Sequence, residues 1–197
     1  MAPILMMISL LSNLGNLDAL SWPADYSLEC PSGCLCSKAS PDLTFLKTDC
    51  SKKNYWLVPL GVSKDSTHVN FARNNIDYLP KGLLSDLMGL EVLDLSGNHI
   101  SYITEGIFNG IPNISTLYLG ENRISSLESG SFQGIPRLEH LWLPINNIWD
   151  LPRNILHGLV NLKVLSVSSH LISYPFFIYS FTCYLSVSLM LLYTYFV

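Results

Sequence analysis

The stretch LEVLDLSGNHISYITEGIFNGIPN, residues 90–113, decides the fold, because the next 24 residues, ISTLYLGENRISSLESGSFQGIPR (114–137), repeat its main apolar positions. The same offsets recur in windows beginning at Ser66 and Leu138. Across the four windows the fourth and sixth positions are Val69 and Phe71, Leu93 and Leu95, Leu117 and Leu119, and Leu141 and Leu143. The ninth is always asparagine: Asn74, Asn98, Asn122 and Asn146. Ile76, Ile100, Ile124 and Ile148 follow, then Leu79, Ile103, Leu127 and Leu151, and each window closes on Leu84, Phe108, Phe132 or Leu156. A fixed period of this length marks stacked units, none of which can bury its apolar edge alone.

The apolar-x-apolar core of each window predicts a short strand with alternate side chains pointing inward. The asparagine turns the chain, and its amide can bond buried backbone groups that no strand reaches. These apolar positions and the asparagine ladder carry architecture and no chemistry. The pattern resembles the leucine-rich repeat. That resemblance implies an α/β solenoid, right-handed and curved, with a parallel sheet on its concave face. Residues 66–172 supply four full repeats and one partial repeat.

Ahead of the repeats, residues 22–65 hold Cys30, Cys34, Cys36 and Cys50. C-x3-C-x-C lacks the paired C-x2-C units or spaced histidines of structural zinc sites, so the cysteines read as two disulfides. Spacing alone allows three pairings. Placed directly before the first repeat, the segment is similar to the cysteine-rich N-terminal cap of extracellular leucine-rich repeat proteins, the group of Slit, the variable lymphocyte receptors and the Toll-like receptors. The resemblance implies the pairs Cys30 with Cys36 and Cys34 with Cys50. Such a cap is required physically, because the first repeat otherwise exposes its core edge.

Other features bear on compartment. Residues 1–21 include an apolar run from Ile4 to Leu11 and small residues at Ala19 and Ser21, the arrangement of a signal peptide, although no Lys or Arg precedes the run. Asn113-Ile114-Ser115 is an N-glycosylation sequon. The chain is 49% hydrophobic and only 13% charged, with a net charge of −4. No basic footprint points to nucleic acid.

Outward-pointing strand residues should line up in columns, and one column reads Asn70, Asp94, Tyr118, Trp142 and Ser166. Strands lie about 4.8 Å apart, so Tyr118 and Trp142 are expected side by side. Asp94, Tyr118, Glu121, His140 and Trp142 are the candidate partner-binding residues, as aromatic anchors with a charged surround. His68 and His140 fall about 14 Å apart at strand spacing, too far to share a proton or a metal ion. No nucleophile-elbow, phosphate-loop or zinc-protease motif occurs. The sequence therefore predicts no enzyme, no cofactor and no metal site.

Residues 173–197 form a hydrophobic tail, and no Asp, Glu, Lys or Arg occurs from Val164 to Val197. His170 stands where the rhythm predicts asparagine. The tail has the length of a transmembrane helix, from about Phe176 onward, but lacks a basic flank. Small residues at Ser166 to Ser169 suit a cleaved lipid-anchor signal, but the polar spacer is lacking. The loss of period inside a repeat favours a foreign continuation that leaves a truncated version of a longer receptor. Cys183 is left without a partner once the cap is paired. Together these features predict a glycoprotein of the secretory pathway, at the cell surface or extracellular, that recognises a protein ligand through its concave face. The alternative is a truncated secreted isoform acting as a decoy or matrix protein without signalling.

Overall fold

The computed structural model describes residues 30–38, 46–168 and 190–194. Among these, the strands are β1 (Leu35–Lys38), β2 (Leu46–Asp49), β3 (Ser66–Asn70), β4 (Val92–Asp94), β5 (Tyr102–Ile103), β6 (Thr116–Tyr118), β7 (Ser126–Leu127), β8 (His140–Leu143), β9 (Val164–Ser168) and β10 (Met190–Thr194). Eight of them form one sheet in the order β1-β2-β3-β4-β6-β8-β9-β10, and β5 pairs with β7 in a second, two-stranded sheet. Only β1 and β2 run antiparallel; each later neighbour is parallel. The chain is thus a parallel-strand solenoid of about five turns.

The register follows the repeat. Leu93, Leu117, Leu141 and Leu165 are successive partners across four strands, and each is 0–1% exposed. Burying a leucine is worth about 2 kcal/mol, and stacking like on like lets each turn supply the cover its neighbour lacks. Phe108 and Phe132 extend this logic to the opposite side, their rings stacked at 6.0 Å and 7°.

Each ladder asparagine closes two turns at once. Asn98 donates through Nδ2 to Leu95 O in its own repeat and Phe71 O in the previous one, both at 3.0 Å, and its Oδ1 accepts from Ile76 N at 3.1 Å. Asn122 repeats this with Leu119, Leu95 and Ile100, and Asn146 with Leu143, Leu119 and Ile124. A single planar amide offers two donors and an acceptor, the inventory needed where strands end and the main chain would otherwise be orphaned. The residue before each asparagine, Arg73, Gly97, Glu121 or Ile145, has φ between 53° and 64°. Only glycine takes this left-handed conformation freely, and β-branched Ile145 is strained by it.

The side away from the main sheet is made of turns at 81–86, 105–110, 129–134 and 153–158, with no helix among the described residues. The α part of the expected α/β solenoid takes the form of these turns. They pack too closely for bulk at one point: a Cβ on Gly110 would lie 2.5 Å from Ser85 Cα.

At the N-terminal end the disulfides are Cys30–Cys36 and Cys34–Cys50, the pairs that the resemblance implies. They hold β1 and β2 against the edge of β3, where Thr48 Oγ1 and Ser66 Oγ meet at 3.0 Å in a buried contact. Asn74 joins cap to repeats, donating to Cys50 O at 2.9 Å and accepting from Lys53 N and Tyr55 N.

Five residues of the tail are described. No helix among the described residues is long and apolar enough to cross a membrane. Met190–Thr194, inside the apolar tail, is instead a strand paired in parallel with β9. The open edge of β9 presents unpaired N–H and C=O groups, and a run of apolar and aromatic residues satisfies them readily in extended form. His170, Cys183 and the rest of 169–189 and 195–197 lie outside the described residues, as does the signal peptide reading for 1–21.

Candidate binding face

The sheet presents its outward side chains in columns one strand apart. Tyr118 and Trp142 are register partners, their rings stacked with centroids 6.2 Å apart and planes 16° from parallel. Both are half-buried. The geometry forces the pairing, because parallel strands place equivalent residues side by side and flat rings fill that spacing by stacking.

The rest of this column behaves differently. Asn70 Oδ1 accepts from Ala72 N at 2.8 Å, and Asp94 Oδ1 accepts from Ser96 N at 2.8 Å and Ser96 Oγ at 2.6 Å. Asp49, at the end of β2, accepts from Ser51 N in the same way. Three successive strands therefore end in a side chain that ties down its own turn. Tyr118 and Trp142 do not: the Tyr118 hydroxyl lies too far along its ring to reach Gly120 N, and residue 144, two after Trp142, is a proline with no N–H to donate. Asp94, expected as a partner contact, is committed first to its own strand end. The column finishes at Ser166, which is fully buried.

Glu121 is exposed and sits at the left-handed position ahead of Asn122, its N–H donating to Pro144 O at 2.9 Å. His140 is half-buried beside Thr116, with Nδ1 and Oγ1 3.5 Å apart. His68 lies at the far end of the same column, in register through Val92 and Thr116, so the two imidazoles stand three strands apart. Burial holds the His68 pKa below its usual value; Lys47 adds to that shift and Glu91 opposes it. Glu139 is held below the usual carboxylate range by its hydrogen bond to Lys163, with Nζ and Oε2 2.8 Å apart. Among the described residues no group of histidines, cysteines and carboxylates could hold a metal ion.

The sequon asparagine has an architectural task. Asn113 Nδ2 donates to Met88 O at 2.8 Å, and Arg137 donates to Asn113 Oδ1 at 2.6 Å. Asn161, two repeats on, donates to Pro136 O in the same manner. Sequence reasoning missed this bracket, although asparagine recurring 48 residues apart at one offset was a readable signal.

A family model described as leucine-rich repeat matches residues 89–148. This is a leucine-rich repeat protein with a cysteine-rich N-terminal cap. Among solved structures, this leucine-rich repeat protein is similar to a chain in the crystal structure of a TLR13–ssRNA13 complex, at 30% identity and a TM-score of 0.60. The match covers 67% of the present chain and 19% of that chain, so the protein spans about a fifth of the relative's length. No curated protein matches it.

Proposed function

We propose that this leucine-rich repeat protein is a binding module of the secretory pathway whose sheet face recognises a protein ligand, anchored on Tyr118 and Trp142. The observation that carries this reading is the switch within one column: three strand ends secure themselves with Asp or Asn, and the next two carry a stacked, partly exposed aromatic pair in that place. Large rigid aromatics contribute much of the binding energy where they occur at interfaces. Glu121 and His140 lie close enough along the chain and register to form the polar rim.

Two disulfides in the cap support an oxidising compartment. Within this reading residues 1–21 are a cleaved signal peptide and Asn113 accepts a glycan. A glycosylated amide keeps one N–H, so the bond to Met88 O can survive the modification.

The relative's description names single-stranded RNA, which makes nucleic acid the natural rival. Residues 66–168 carry six basic and nine acidic side chains, a balance that disfavours a polyanion. The test is to screen the tagged chain against a panel of extracellular ectodomains and against labelled single-stranded RNA, then repeat each hit with Trp142→Ala. The expected result is an ectodomain whose affinity falls about 30-fold in the variant, the cost of a typical hot-spot residue, with unchanged melting. Undiminished affinity in the folded variant, or binding of RNA alone, would sink the proposal.

A further inference from the structure

At the opposite end of the molecule, the cap carries an exposed apolar loop that the repeat architecture does not use. Within residues 51–60, Trp56, Leu57 and Leu60 are 67%, 63% and 83% exposed, whereas Val58 between them is buried. The loop is pinned from below. Lys52 N donates to Ala72 O at 3.0 Å, Asn75 N donates to Tyr55 O at 2.8 Å, and the Tyr55 hydroxyl donates to Ser32 O. Asn74 Oδ1 accepts from both Lys53 N and Tyr55 N. Three large apolar side chains thus project from a held backbone that has already lost its conformational freedom, which lowers the cost of binding.

The charge around this loop has the opposite sign from that of the repeats. Residues 46–65 carry Lys47, Lys52, Lys53 and Lys64 against Asp49 and Asp65. Lys47, Lys52 and Lys53 are exposed, the last two in the loop itself. Exposed tryptophan and leucine beside exposed lysines are the two signals that interfacial adsorption needs: apolar groups that enter the headgroup boundary, and cations that meet lipid phosphates.

We propose that the cap loop adsorbs to an anionic membrane surface, with Trp56, Leu57 and Leu60 entering the interface and Lys52 and Lys53 pairing with headgroups. The sheet face of the repeats then stays free for its ligand, so this inference does not depend on the aromatic anchor.

The test is cosedimentation of the full chain with phosphatidylcholine vesicles, with and without phosphatidylserine. Wild type should partition onto the anionic vesicles. Trp56→Ser/Leu57→Ser/Leu60→Ser should lower that partition about tenfold or more, and its melting should be unchanged because the three side chains are exposed. Lys52→Gln/Lys53→Gln should lower it about fivefold per lysine on the anionic vesicles and leave partition onto phosphatidylcholine alone unaffected. Equal partition of wild type and the triple variant would overturn the proposal by placing the membrane contact elsewhere in the chain. Absence of wild-type partition would overturn it too, and self-association lost in the triple variant would then assign the loop to a second copy.

Discussion

The cap and the repeats meet the same demand, an apolar edge that must be covered, with different bonds. The cap is closed by Cys30–Cys36 and Cys34–Cys50. Each repeat from 66 to 168 is covered by its neighbours and tied by asparagine side chains, with no covalent link. The surfaces diverge with the interiors: residues 46–65 of the cap are basic and cluster Trp56, Leu57 and Leu60 on one exposed loop, while the repeats are acidic, scatter exposed residues such as Met88, Trp149 and Val160 along the chain, and stack Tyr118 on Trp142. A solenoid distributes its stability over many equivalent contacts. A small terminal element has no such reserve and depends on cross-links.

The contrast can be broken most directly in the repeats. Phe108→Ala removes a fully buried ring from the Phe108–Phe132 stack and should cost about 4 kcal/mol, measured by denaturant unfolding, with amide protection lost on both sides of the cavity. The cap should respond more locally. Replacing Cys34 and Cys50 by serine opens a bridge of sequence separation 16 and should cost about 3 kcal/mol. Hydrogen exchange should then rise in residues 46–65 and much less in 114–168; equal loss in both would show that cap and repeats unfold as one unit.

Asn122→Ala sharpens the account of the ladder. It takes one of two side-chain donors from Leu119 O and from Leu95 O, which keep Asn146 and Asn98, and deprives Ile100 N of its acceptor, and should cost about 2 kcal/mol for the lost bonds and the buried N–H left unsatisfied. A loss no larger than that of an exposed Ser126→Ala control would refute the bracket role. The smallest effect is a pH dependence. His68 resists protonation in the folded chain, so below pH about 6.5, the usual value, the unfolded chain binds more protons and stability rises with pH. Acidification from neutrality should therefore destabilise the protein through this group, and His68→Gln should flatten that part of the melting profile.

Much of this architecture is legible in particular residues. Leu93, Leu117 and Leu141 announce strands because their spacing suits nothing else, and Asn98, Asn122 and Asn146 announce turns because an amide is needed where strands stop. The Tyr118–Trp142 neighbourhood followed from register alone. The bond of Asp94 to its own turn was not legible beforehand, because it depends on local torsions that a column of letters does not display. Trp56, Leu57 and Leu60 passed unremarked for a related reason: an apolar residue in an aperiodic segment carries no sign of whether it faces a core or solvent.

The amino-acid sequence by itself determined the period, the strands, the buried asparagine ladder and the need for a cap, since these rest on short-range spacing repeated many times. Tertiary structure alone decided which polar side chains are consumed by their own turns, which apolar residues of the cap stay exposed, and that Met190–Thr194 pairs with β9 instead of lying in a helix. Those outcomes depend on which surfaces and strand edges meet after the chain has coiled, and no local pattern encodes that meeting.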